Sequence, residues 1–407
     1  MNSKNIVIPN RKGYALNAYL ELPTNQKPSD YAIFAHCFTC HSNLNAVRNI
    51  SQALANQGYG VVRFDFTGLG RSKGEFVDSN FSANIADLED VHQYMTDNFK
   101  APSLLVGHSL GGAAVLVAAN QIEAVKAVVT IGAPAEADHV KYLFSTLVDP
   151  ASGEEAFDVN IGGRPFRINQ QFIDELDKVE LSTVIKQLRK PILILHSPSD
   201  KVVGIENAQK IYQLAHHPKS YVSLDHADHL LSEKEDSVYA GNMIGMWAKR
   251  YISKEVNEKL DTQGEQLIGH LDLEENNFTT FLHTDKHQFV ADEPESVGGD
   301  EFGPTPYEYL LGGLAACTVM TLKLYAERKG WDLKDAFVYL SHSKKHIQDM
   351  NEEVGGELVY MDHIQKKLKL VGDLNDAQIQ KLKEIASKCP VHRTLLNNVI
   401  IDTEIVN

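Results

Sequence analysis

The chain has 407 residues, more than the roughly 250–300 at which one hydrophobic core stops growing, so two domains are expected. Its 43% hydrophobic and 23% charged residues exclude a disordered or low-complexity chain, and a net charge of −15 argues against a nucleic acid partner, whose phosphates recruit clustered Lys and Arg. The opening MNSKNIVIPN lacks a signal-peptide core and no later run approaches the ~20 apolar residues of a membrane span, so a cytoplasmic protein without a membrane span is expected.

From residue 31 to about 251, the apolar runs YAIFAH, YGVVRFDF, PSLLVGH, VKAVVTIGAP, KPILILHS and KSYVSLDHADH alternate with helical patterns. Strands alternating with helices predict a doubly wound, mostly parallel sheet, with ligands gathering at the carboxyl ends of the strands. The rhythm stops between residues 135 and 190, a charged and Gly-containing stretch that reads as a small cap. SKEVNEKLDTQGEQ then reads as an exposed connection. Beyond it come short strands in EQLIGHLDL and NFTTFLHTDKHQFVADE and a long apolar helix from Pro306 to Gly330. Strand runs FVYLSHSKKH and LVYMDHIQKKLKLVG, a helix from about 376 to 388 and a final strand NNVIIDTEIV complete an α+β domain. The boundaries are therefore 1–254 for the first domain and 255–407 for the second.

In Gly107-His108-Ser109-Leu110-Gly111 a small apolar strand runs directly into a small-residue helix, the context of a nucleophile elbow. Bulkier residues at Gly107 and Gly111 would meet neighbouring backbone. Ser109 needs a base, and an acid to orient that base. Asp200 follows the strand PILILH, and His229 follows the strand entering DHADH, giving the order Ser, Asp, His. His226 is the alternative base, and Asp225 and Asp228 are alternative acids. The amide of Leu110 and one from the loop after YAIFAH, with Phe38 the candidate, would form an oxyanion hole. His36, Cys37, Cys40 and His41 also admit a reading as a metal cluster, but a strand-to-loop segment that supplies an oxyanion amide is poorly placed to wrap an ion. No cofactor is called for. Four cysteines are too few for a disulfide framework, so those that matter are expected to act as thiols.

These motifs, with VVRFDFTGLGRSKGEF, make residues 1 to about 251 resemble the α/β-hydrolase superfamily, its esterase-like members especially. The resemblance implies hydrolysis of a small-molecule acyl ester. The family's commoner oxyanion pair is His-Gly, and Cys37 stands at the glycine position.

From about residue 258 onwards, GPTPYEYL with Cys317 in the following helix, and CPVHRTL opening on Cys389, resemble the OsmC/Ohr family (osmotically inducible protein C and organic hydroperoxide resistance proteins). That resemblance implies an intertwined homodimer formed through the C-terminal domain. It also implies a peroxidatic Cys317 and a resolving Cys389, with organic hydroperoxide as substrate and a thiol as reductant. The family's early-strand Arg is missing, since no Arg lies between Arg250 and Arg328. Glu308 is present, and Arg393, His283, His287 or His392 would have to supply the support. Two alternatives stay open: a non-catalytic module for dimerisation and substrate gathering, in which Cys317 is a small buried hydrophobe, and a metal site of Cys317, Cys389 and His392.

Overall fold

The computed structural model describes residues 2–406 except 25, 38–39, 76–79, 137–155, 162–163, 170–179, 253–259, 274–275 and 347–359. The chain divides into two compact units, one of residues 1–268 with 283–289 and the other of residues 269–282 with 290–407.

The first unit is built on an eight-stranded sheet. In chain order come β1 (Asn2–Pro9), β2 (Ala15–Leu22), β3 (Asp30–Ala35), α1 (Asn45–Ala55), β4 (Tyr59–Phe64), α2 (Phe81–Asn98), β5 (Leu104–His108), α3 (Leu110–Gln121) and β6 (Ala127–Ile131). A hairpin β7 (Ala156–Ile161) and β8 (Arg164–Asn169) follows, then α4 (Leu181–Gln187), β9 (Ile192–His196), α5 (Glu206–Leu214), β10 (Lys219–Ser223) and α6 (Lys234–Lys249). The strand order is β1-β2-β4-β3-β5-β6-β9-β10. The six strands from β4 to β10 in that order are parallel, matching the expected alternation, while β1 and β2 are antiparallel. This antiparallel hairpin was not foreseen in the N-terminal polar stretch.

Strands β3, β4, β5, β6 and β9 are buried along their whole length, as strands covered by helices on both faces must be. On one face α1 and α6 close over them with Val47, Ile50, Leu54, Ala240, Ile244 and Ala248. Helix α3 is buried from Leu110 through Ala119, so its uniformly apolar sequence reflects burial on all sides. The hairpin β7–β8 lies inside the stretch read as a cap, most of which is outside the described residues.

The second unit contains β11 (Ile268–His270), β12 (Thr280–His283) and β13 (Gln288–Ala291) as a three-stranded sheet, although some of these residues group with the first unit. Helix α7 (Pro306–Lys329) begins in a capping box of Thr305 and Glu308 and ends at Gly330. It presents Leu314, Thr318, Leu322 and Ala326, four residues apart, as its buried stripe. Against part of this stripe pack β14 (Asp332–His346), β15 (Tyr360–Asp373) and α8 (Asp376–Ala386) through Leu333, Leu368, Leu382 and Ile385. A short α9 (Pro390–Leu396) follows.

Helix α7 is, among the described residues, long and apolar enough to cross a membrane by length and composition, a test that a core helix also passes, because Ala, Gly and Leu dominate its middle. One expectation is overturned: the final strand does not form. Residues 397–406 are irregular, with Ile400, Ile401 and Ile405 more than four-fifths exposed, because an extended apolar segment becomes a strand only when a sheet edge accepts it.

One ion pair near the site is buried in the first unit. Arg63, on β4, donates from Nη2 and Nε to Glu21 Oε1 at 2.7 and 3.0 Å, and from Nη1 to Ser42 O and Asn43 Oδ1 at 2.8 and 2.9 Å. Both partners of the ion pair are nearly sealed from solvent. Arg63→Met is expected to destabilise the first unit by about 3 kcal/mol or more, since Glu21 is left buried and uncompensated, whereas adding Glu21→Met recovers most of the loss. Denaturant melts of the two variants measure the difference, and equal losses would refute it.

Candidate active site

The site is organised by the turn between β5 and α3. Ser109 occupies φ 56° and ψ −125°, outside the regions open to an L-residue without strain. The turn is held by Ser109 N donating to Ile131 O at 2.8 Å and Gly112 N donating to Ser109 O at 2.8 Å. A Cβ on Gly107 would collide with the carbonyl of Gly111, and one on Gly111 with the carbonyls of Ala35 and His36. The two glycines flanking Ser109 are thus required by close backbone approach.

Asp200 lies in the loop after β9, its side chain 2% exposed. Its Oδ1 accepts from the amides of Val202 and Val203 at 2.8 and 2.9 Å, and its Oδ2 lies 2.7 Å from His229 Nδ1. Burial pushes this carboxyl upward, but the hydrogen bond and charge of His229 and the two amides outweigh it and hold the carboxyl below its usual range. His229 Nε2 lies 3.0 Å from Ser109 Oγ. Because the carboxylate can only accept, Nδ1 carries the proton and Nε2 is free to accept from the hydroxyl. The structure therefore brings Ser109, His229 and Asp200 into one hydrogen-bonded line.

The alternatives are elsewhere engaged. His226 is exposed, at φ 70°. Asp225 accepts from Ser223 Oγ at 2.6 Å, and Asp228 accepts from Ser232 N and Oγ at 2.8 and 2.6 Å. Leu110 opens α3, so its N–H is among the first-turn amides a helix cannot use internally. Phe38 lies outside the described residues.

Three buried histidines, none of which was given this role from the sequence, support this line. Each stands at or just past the end of a parallel strand and donates an N–H to a main-chain carbonyl. His108 Nε2 donates to His229 O at 2.7 Å, His196 Nε2 to Val203 O at 2.7 Å, and His36 Nδ1 to Cys37 O at 2.7 Å. Burial lowers the pKa of all three, that of His108 to about 3, so they act as neutral donors. The recurrence of His at the ends of YAIFAH, PSLLVGH and PILILH was the available signal. Gly132, just past β6 at φ 54°, is the other missed residue: a Cβ there would sit 3.3 Å from Asp200 Oδ2 and 3.4 Å from His229 Nδ1.

The cysteines require a correction. Cys37 and Cys40 are joined as a disulfide, with Cα atoms 5.2 Å apart, because the turn closed by Cys40 N donating to Cys37 O brings them together; the expectation that every important cysteine acts as a thiol fails here. His41 Nδ1, for its part, accepts from Asn43 N at 3.1 Å.

In the second unit Cys317 and Cys389 are free, Cys317 half-exposed on α7 and Cys389 fully buried at the start of α9. Cys389 Sγ is 3.6 Å from Thr318 Oγ1 and accepts from His392 N at 3.4 Å. Burial pushes this thiol up, but hydrogen bonds from Thr318, His392 N–H and Cys317, with the charge of Lys366, bring it below its ordinary value. Lys366, on β15, donates to Ala386 O at 2.7 Å and reaches His392 Nδ1 at 3.4 Å. Arg393 is exposed, and Glu308 accepts from Thr305 N at 2.8 Å to cap α7. The cation at the thiols is Lys366, which no local motif marks.

Comparison with known proteins agrees with this architecture. Residues 26–153 match the serine aminopeptidase S33 family model, and residues 298–404 match the OsmC-like protein model. The esterase domain of a Rhodothermus marinus protein is 47% identical and superposes with a TM-score of 0.54, covering 62% of this chain and 100% of that domain. Est1E of Butyrivibrio proteoclasticus, solved with ferulic acid, shares the fold at 22% identity and a TM-score of 0.53, over 60% of this chain and 98% of its own. Mouse palmitoyl-protein thioesterase ABHD10 is 26% identical over 208 residues, 48% of this chain and 68% of the relative. Escherichia coli YfhR is 23% identical over 229 residues, 55% and 73% of the two chains. With an esterase domain matched end to end at that identity, and a second family model beyond it, the chain belongs to the esterase-like α/β hydrolases and carries an OsmC-like domain at its C-terminal end.

Proposed function

We propose that residues 1–254 form a carboxylesterase that hydrolyses small acyl esters through Ser109, His229 and Asp200. The observation that carries this reading is the position of His229 between the other two, 3.0 Å from the hydroxyl and 2.7 Å from the carboxylate. His229 Nε2 takes the Ser109 proton as Oγ attacks the acyl carbon, then returns it to the leaving alkoxide; water repeats the sequence on the acyl-enzyme. Asp200 fixes the tautomer and stabilises the imidazolium. The Leu110 amide, with that of Phe38, would hold the oxyanion. We assign the protein to the cytoplasm, with no nucleic acid partner.

For residues 255–407 we propose reduction of organic hydroperoxides. Half-exposed Cys317 attacks the distal peroxide oxygen, releasing the alcohol and forming a sulfenic acid. Cys389 attacks that sulfur, water leaves, and a thiol reductant regenerates the pair. What favours this over a non-catalytic module is the lowered Cys389 thiol beside Lys366, which replaces the support first sought from Arg393 and Glu308. A homodimer through this domain accounts for its exposed apolar surface: Met320 and Leu324 on α7, Phe337 and Tyr339 on β14, and the extended tail. A two-stranded ribbon is marginal by itself and is stabilised by a further partner.

Ser109→Ala is expected to lower kcat for p-nitrophenyl butyrate by at least ~10³-fold, and Asp200→Asn by about 10⁴-fold, both in preparations with unchanged circular dichroism. Retained turnover in Ser109→Ala would reject the hydrolase.

Acid should destabilise the first unit through its buried histidines. His36, His108 and His196 are neutral when folded and have an ordinary value of 6.5 when unfolded, so the unfolded chain binds more protons below that pH. Stability is full above pH 6.5 and falls as pH drops towards about 3, the folded value of His108, by roughly 1.4 kcal/mol per pH unit for that histidine, with His36 and His196 acting in the same direction. Thermal melts from pH 8 to 5 read this slope; His108→Gln should flatten it, and a flat wild-type profile would contradict it.

For the second unit, light scattering is expected to give a dimer mass, with cumene hydroperoxide consuming two thiols per chain. Lys366→Met should slow the consumption about ten-fold. A monomer that loses no thiols would leave neither role standing.

A further inference from the structure

The Cys37–Cys40 pair has no part in the chemistry above, yet it directly follows His36, whose carbonyl lies against Gly111 of the nucleophile turn. We propose that it is a redox-active couple whose state sets hydrolase turnover, the disulfide form being the faster. The proposal rests on the serine-hydrolase reading of the first unit.

Its ring argues against a purely structural bond. Only Phe38 and Thr39 separate the two cysteines, so closing the ring removes little freedom from the unfolded chain compared with a bridge across a long loop. The spacing is that of a redox Cys-X-X-Cys, and it lies where such motifs are found, between a parallel strand and the following helix, here β3 and α1.

Its position couples it to the site. Upstream, the carbonyls of Ala35 and His36 lie against Gly111 in the nucleophile turn, where even a Cβ would collide. Downstream, Ser42 N donates to Asp65 Oδ1 at 2.6 Å, and Ser42 O accepts from Arg63 Nη1 at 2.8 Å. The segment is thus clamped at both ends by buried partners, and the disulfide is the covalent restraint between the clamps. Breaking it frees the backbone torsions of Cys37, which directly follows the His36 carbonyl packed against Gly111 of the nucleophile turn. Losing pre-organisation there raises the barrier without removing a substrate contact, so kcat should change and KM should not.

Cys37 and Cys40 retain 6% and 7% exposure, which favours small reagents over a folded protein. A small dithiol supplies two electrons and two protons, becoming a disulfide as the Cys37–Cys40 bond becomes two thiols. In the reverse direction an organic hydroperoxide is the oxidant. One thiolate attacks the distal oxygen, the O–O bond breaks and the alcohol departs; the second thiol displaces water from the sulfenic acid.

The full-length protein is treated with tert-butyl hydroperoxide or with dithiothreitol, alkylated by one reagent before reduction and another after, and mapped by peptide mass. Cys37 and Cys40 should be protected in the oxidised protein and free in the reduced one, with kcat for p-nitrophenyl butyrate about ten-fold lower on reduction and KM within about two-fold. Cys37→Ser combined with Cys40→Ser should hold kcat at the reduced value whichever reagent is used. Alkylation of both cysteines before reduction in the oxidised protein, or identical kcat in the two states, overturns the proposal; these measurements need no variant. Absence of ester turnover in either state would reject the hydrolase reading and the control of kcat with it, while the peptide map separately decides whether the couple exists.

Discussion

The strained turn at Ser109 is the constraint on which the first unit depends. A non-glycine residue at φ 56° costs of order 1–3 kcal/mol and persists only where its surroundings leave no alternative. Those surroundings are backbone rather than side chain: Gly107 against the Gly111 carbonyl, and Gly111 against the carbonyls of Ala35 and His36. The turn therefore ties β5, α3 and the end of β3 into one close-packed knot. It points the hydroxyl towards the strand ends, where the loops after β9 and β10 arrive because those strands are parallel neighbours. Fixing one residue in a poor conformation thus sets the place where the others must meet.

Electrostatics complete what the backbone begins. A charged histidine buried at a strand end would need a counter-ion, and Asp200 is already committed to His229. Keeping His36, His108 and His196 neutral lets each spend a single N–H on a loop carbonyl, so the loops bearing the base, the acid and the disulfide are each pinned from below. His108 is the most direct of these, since the carbonyl it holds belongs to His229 itself. Its ring lies 5.0 Å from that of His229, and its own positive charge would oppose the imidazolium the reaction needs.

What the sequence made legible follows from the same physics. Parallel strands buried on both faces must be apolar throughout, so YGVVRFDF and KPILILHS declare themselves; Ser109 and Asp200 were proposed because each follows such a strand, and His229 because it follows the parallel edge strand β10. The hairpin β1–β2 could not be read in this way. β1 is the sheet edge and β2 its neighbour, where alternating exposure admits Asn5 and Asn17, which pair side chain to side chain. Nor could Lys366 be read as the partner of the thiols. It sits on a long ribbon with exposed lysines just beyond it, and only the register of β14 with β15 and their packing on α7 and α8 distinguish it from Lys367 and Lys369. Cys37 and Cys40 were visible as a spacing, but a spacing does not state whether sulfur is oxidised.

The failed final strand carries the last step. Residues 397–406 hold Val399, Ile400, Ile401, Ile405 and Val406, a composition that favours a strand, yet they stay exposed. Local preference is necessary for a strand but not sufficient, because each backbone N–H and C=O must also meet a partner edge. The same holds for α7, whose apolar length exceeds the stripe buried by its own unit. In both elements the sequence is more hydrophobic than one copy of the domain can use. The excess over what the described residues bury stays as exposed apolar area, which is costly unless a matching surface covers it.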